Sequence, residues 1–207
     1  MTIPLPEIFL GRVKISLLTV AALAALIAFD TSVYTLLTLT AAALHEAGHI
    51  FAAFFLHAGI EQITVYPFGA DIRLDSRIRS HRTDFIISGA GAVANLAVGL
   101  PLVLAKTGGI CGMYFGVCNL SLAAMNLLPE SHLDGGGMLR AVLFSVCGEE
   151  KAARICRFVS FASLIILWLA GSYILFYSAS NPSLFLICIY LFASEFIPRR
   201  IIKDFRG

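Results

Sequence analysis

The chain has 207 residues, 58% of them hydrophobic and 14% charged, with a formal net charge of +2 at pH 7. A water-soluble domain carries roughly 45–50% apolar and about 25% charged residues, so a mean hydropathy of +0.87 excludes an ordinary soluble enzyme and indicates an integral membrane protein. The small net charge gives no basis for a nucleic-acid partner. The five scattered cysteines, none in a CxxC pair, argue against a disulfide framework or a thiolate metal site.

A helix that crosses the bilayer needs about 20 mostly apolar residues. Arg12 and Lys14 precede an apolar run from Ile15 to Phe29. No small-x-small cleavage site follows and another span begins within a few residues, so this run is expected to be an uncleaved first membrane helix rather than a signal peptide. Candidate spans lie at 13–29, 32–57, 83–105, 109–128, 156–178 and 182–198. After the second, residues 60–75 are β-branched and aromatic around Pro67-Phe68-Gly69-Ala70, a hairpin signal. After the fourth, Met138, Leu139, Val142, Leu143 and Val146 recur at helical spacing, so a short helix is expected over 135–147 near the membrane surface. No repeat or low-complexity linker divides the chain. The expectation is a single domain, 1–207: an all-α polytopic membrane protein of about six transmembrane helices with a short β-hairpin after the second.

The basic residues give the orientation. Arg12 and Lys14 precede the first span; Arg73, Arg77, Arg79 and Arg82 follow the second; Arg140, Lys151, Arg154 and Arg157 follow the fourth; Arg199, Arg200, Lys203 and Arg206 follow the sixth. With six spans all four groups fall on one side of the bilayer, and of the remaining Lys and Arg only Lys106 falls opposite. The positive-inside rule then makes both termini cytosolic, in a multi-pass protein of a bacterial cytoplasmic membrane.

The second span contains AAALHEAGHIFAAFF, Ala41 to Phe55. His45 and His49 are four residues apart, so on a helix their rings project from one face, one turn apart. That spacing chelates zinc, and Glu46 can stand beside the metal as general base, the HExxH pattern. HExxH alone is moderately specific; its setting sharpens it, because two imidazoles and a carboxylate in a spanning helix are costly without a partner. The bland alternative is a buried polar network that packs helices together. Zinc needs a third protein ligand. Positions 52 and 55, where a metzincin would carry Gly and His, are Ala52 and Phe55, and no Glu occurs between Glu61 and Glu130. The best candidate is Asp134 in NLLPESHLDGGGMLR, Asn126 to Arg140, where three glycines would let the backbone turn tightly and aim the carboxylate. Asp71 and Asp75 in the hairpin compete with it. Gly91, Asn95 and Gly99 form a small-residue stripe suited to close helix packing in lipid.

These motifs together resemble the site-2 protease family of intramembrane zinc metalloproteases, whose patterns are HExxH and an N-x-x-P…L-D-G segment. The match falls on His45, Glu46, His49, Asn126, Pro129, Leu133 and Asp134, and SGAGAVANL matches a third motif with Asn95 as its counterpart. The resemblance covers about residues 13–147 and is nearest to the sporulation-type branch. It implies one zinc per chain on His45, His49 and Asp134, with Glu46 catalytic and Asn95 and Asn126 toward the substrate or oxyanion. It further implies a membrane-anchored protein substrate, cleaved in or near its spanning segment after local unwinding and pairing on the hairpin edge, and a regulatory membrane partner. The chain departs from the family at Ala92 and His132, where proline is usual, and His132 could approach the metal. No PDZ-like insertion is present and the sequence ends at Gly207, so a short form without a CBS domain is expected. The competing class is a polytopic ion or metal transporter, or a metal-binding membrane protein without protease activity. Its expected half-to-half pseudo-symmetry is not evident in the sequence. A catalytically dead scaffold is disfavoured because every catalytic position is intact.

Overall fold

The structure, a computed structural model, describes residues 7–10, 13–66, 69–74, 80–178, 188–189 and 191–192. The expected sixth span at 182–198 lies almost wholly outside these, as do Pro67 and Phe68 of the expected turn and Asp75. The chain forms two compact units, residues 1–127 and 128–207.

In the first unit, strands β1 (Glu7–Leu10) and β2 (Val13–Ser16) precede helix α1 (Leu17–Phe29). The expected helix over 13–29 is corrected at its start. Val13 to Ser16 alternate apolar and polar with β-branched residues, a strand pattern hidden by its fusion to the apolar run that follows. At about 1.5 Å per residue, α1 is roughly 20 Å long, short of the ~30 Å hydrocarbon core. Helix α2 (Val33–Phe55) is capped by Ser32, whose hydroxyl accepts from Thr35 N at 3.4 Å. It ends where His57 and Gly59 take positive φ. Strands β3 (Ile60–Tyr66) and β4 (Gly69–Leu74) follow. β3 pairs antiparallel with β4 and parallel with β2, giving the order β1-β2-β3-β4 among the described residues. A parallel pair needs a crossover, and here α1 and α2 supply it, so they leave the sheet and return to it.

Helix α3 (His81–Leu104) is capped by Ser80, and α4 (Gly109–Asn126) follows a tight connection through Gly108. Between α2 and α4, the Thr38 hydroxyl lies 3.1 Å from the Tyr114 hydroxyl. The buried residues of these helices are small or polar: Ala41, Ala53, Ala92, Ala123, His45, His49, Asn95 and Asn119. The exposed ones are large and apolar, among them Phe51, Phe54, Phe55, Val93, Leu104 and Ile110. This inverts the arrangement of a water-soluble core and suits helices that pack through small residues inside lipid.

In the second unit, α5 (Asp134–Cys147) and α6 (Glu149–Ser178) meet at Gly148. Among the described residues three helices, α2, α3 and Glu149–Tyr177 of α6, are long and apolar enough to cross a membrane. All five cysteines are free, and only Cys188 is buried.

Candidate active site

His45 and His49 are both buried, 5% and 8% exposed, on the face of α2 turned toward α3. The Nδ1 of His49 lies 2.7 Å from the carbonyl of Ile87 in α3. A carbonyl only accepts, so Nδ1 carries the proton, and the Nε2 of the neutral ring presents a bare lone pair. That Nε2 lies 3.2 Å from the Nε2 of His45. Two imidazole nitrogens sharing one tetrahedral zinc at 2.0–2.1 Å would stand about 3.3 Å apart. The spacing, the tautomer and the fixed second nitrogen of His49 therefore fit a metal, in the way a backbone carbonyl orients a ligating histidine. Glu46, between them in sequence, is half-buried.

Gly91 faces this pair. A Cβ there would lie 2.8 Å from the His45 ring and still closer to Nε2 of His49. Ile87 and Gly91 are one helical turn apart, so the His49 ring lies across that turn and its bond to Ile87 leaves it little room to yield. Gly91 thus does more than the close packing expected of it, whereas Gly99 packs as expected, against Gly116 and Leu120 of α4. One turn beyond Gly91, on the same face, Asn95 is fully buried, and neither its Nδ2 nor its Oδ1 has a hydrogen-bond partner among the described residues. Leaving such a group unsatisfied costs about 1–3 kcal/mol, which marks Asn95 as a group awaiting a partner. Asn126 differs: its Nδ2 donates to Leu122 O of its own helix at 3.0 Å. Asn119, which the motifs did not single out, is likewise fully buried; its Nδ2 donates to Phe115 O at 2.8 Å while Oδ1 has no partner among the described residues.

In the second unit Asp134 is the first residue of α5, where a carboxylate is favoured by the helix dipole. The glycines after it are helical, and none has positive φ. The expected tight turn is therefore corrected: Gly136 is needed because a Cβ there would collide with the Glu130 carbonyl. The loop before Asp134 carries a group that the sequence did not reveal. Glu130 is 1% exposed. Its carboxylate accepts from His132 N at 2.8 Å, His132 Nδ1 at 3.0 Å, the Ser131 hydroxyl at 3.1 Å and the Ser160 hydroxyl at 3.4 Å. Burial pushes its pKa up, but the bonds from the His132 side chain and backbone, the charge of that ring and the Ser131 hydroxyl outweigh it, so the carboxyl sits below its ordinary value. Ser131 and Glu130 both meet His132 at Nδ1. The three are therefore not a nucleophile–base relay, which needs the two ring nitrogens to face different partners.

Residues 111–170 match the family model of Peptidase family M50. The chain is related to that family, the site-2 proteases. It is 29% identical over 115 residues to a putative zinc metalloprotease of Synechocystis sp., covering 52% of this chain and 30% of that protein. It is 27% identical over 147 residues to a zinc metalloprotease of Methanocaldococcus jannaschii (68% and 43%), and 25% identical over 158 residues to stage IV sporulation protein FB of Bacillus subtilis (74% and 54%). The chain thus spans less than two thirds of the length of these relatives. In fold it is similar to the site-2 protease from Methanocaldococcus jannaschii, with a TM-score of 0.63 and 22% identity, covering 90% of this chain and 91% of that one.

Proposed function

We propose that this chain is an intramembrane zinc metalloprotease that hydrolyses peptide bonds in or near the spanning segment of a membrane-anchored protein. The observation that carries the reading is the buried His45–His49 pair, its Nε2 atoms 3.2 Å apart with His49 fixed by Ile87, in an apolar helix that also holds Glu46. His45 and His49 would hold the zinc with Asp134 as third ligand, so the two units act as one protease domain. Zinc bound there supplies Lewis acidity and lowers the pKa of water to about 7. Glu46 takes a proton from the attacking water and returns it to the leaving amine. Asn95 offers the unsatisfied amide that a bound peptide carbonyl would meet; Asn126, its amide already engaged within α4, contributes less. An unwound substrate segment could pair on β4, an outer strand of the sheet. A membrane partner that gates access belongs to the same reading.

The test is cleavage by purified protein in proteoliposomes, using a single-span substrate with helix-destabilising residues near its cytosolic end. Cleavage should stop on chelation and return with zinc. A transporter, the rival class, would cleave nothing under any condition.

The same proposal takes α1, α4 and a segment within 182–198 as further spans beside the three long apolar helices, making six, with both termini cytosolic. The charge distribution supports it, as does the parallel pairing of β2 with β3, which returns the α1–α2 pair to the sheet it left. On a Cys-free background, a cysteine at position 107 should label from outside intact cells and one at 78 should not. Labelling at 78 would refute this orientation.

A further inference from the structure

We propose that Glu130 is a positioning residue for Asp134: its carboxylate ties the loop between α4 and α5 to Ser160 of α6 and so sets where α5 begins. The inference rests on the reading of Asp134 as a zinc ligand. The loop has little to stiffen it apart from this group. Ser131 and His132 are polar residues with free backbone torsions, yet both are held. Ser131 N donates to the Ser160 hydroxyl at 3.0 Å, and that hydroxyl in turn donates to Glu130. His132 is held at its backbone N–H and its ring, both bonded to the Glu130 carboxylate.

From this anchor the order runs on without a break. Leu133 N donates to Glu130 O at 3.1 Å, and Gly136 N and Gly137 N donate to Leu133 O at 3.1 and 3.2 Å, closing the first turn of α5 around Asp134. The guanidinium of Arg140 reaches back from that helix to Ser131 O at 3.4 Å. A carboxylate 1% exposed is costly to bury; four donors converge on it, and what they fix is the approach to a single functional carboxylate. Groups that orient metal ligands in this way typically account for about 10–100-fold in metal affinity.

The measurement is zinc affinity of the full chain in detergent, stripped of metal and titrated against a competing chelator. Glu130→Ala should bind zinc at least ~10-fold more weakly. Glu130→Gln should stay within about 3-fold of wild type, because its amide oxygen can accept from His132 N while its NH2 donates to the serine hydroxyls. Ser160→Ala, which cuts only the tie to α6, should fall between them. A purely structural role would lower the melting temperature of the metal-free protein and leave the affinity of the folded fraction untouched. Wild-type affinity in folded Glu130→Ala overturns the proposal; if that variant does not fold, wild-type affinity in Ser160→Ala does so instead. Asp134→Ala is measured alongside. Weak binding there with unchanged Glu130→Ala sinks only the positioning role, whereas unchanged binding in Asp134→Ala sinks the ligand reading and this inference with it.

Discussion

Glu46→Gln should abolish cleavage while leaving zinc in place. The amide is nearly isosteric with the carboxylate but cannot take the proton of water, and losing a general base costs typically 10²–10⁴-fold in rate. Zinc should remain stoichiometric because His45 and His49 keep their geometry, which is set by Ile87 O and by Gly91 rather than by Glu46. The combination matters more than either half. Lost cleavage with lost zinc would make Glu46 a structural residue, and cleavage at the wild-type rate would remove it from the mechanism. Metal analysis beside the proteoliposome assay separates the outcomes.

The parts of this site that were legible in the sequence are those whose physics is local. An i,i+4 histidine pair on a helix faces one way whatever surrounds it, so His45 and His49 could be named from spacing alone. Large apolar residues beside a few buried polar ones reveal a membrane setting before any fold is known. What escaped depends on distant partners. The tautomer of His49 is set by a carbonyl 38 residues away. Gly91 read as helix packing until the imidazoles were seen against it. Glu130 sits in a polar stretch that reads as a solvated loop, and its burial comes from Ser160, 30 residues later. His132, which could have approached a metal, has its Nδ1 directed to Glu130. β2 was hidden for a different reason: four alternating residues leave no boundary when an apolar helix begins at the next position.

Asp134→Ala should reduce zinc from one per chain to a small fraction, with a loss larger than the ~10–100-fold that outer-shell changes cause. Removing a ligand leaves two imidazoles, and a catalytic zinc site needs three protein groups. Asp71→Ala and Asp75→Ala, the rival carboxylates from the β3–β4 segment, should bind as wild type does. Retention of zinc in Asp134→Ala with loss in either of those would move the third ligand to that segment. Gly91→Ala tests the other side of the site by the same titration. Its methyl cannot be accommodated unless a ring moves, and His49 cannot move without breaking its bond to Ile87. Affinity should drop by about 10-fold or more, as when a ligating histidine loses its orienting contact, with every ligand still present. Unchanged binding in Gly91→Ala would mean that the rings hold metal in another arrangement, and the 3.2 Å pairing would then no longer support a zinc site.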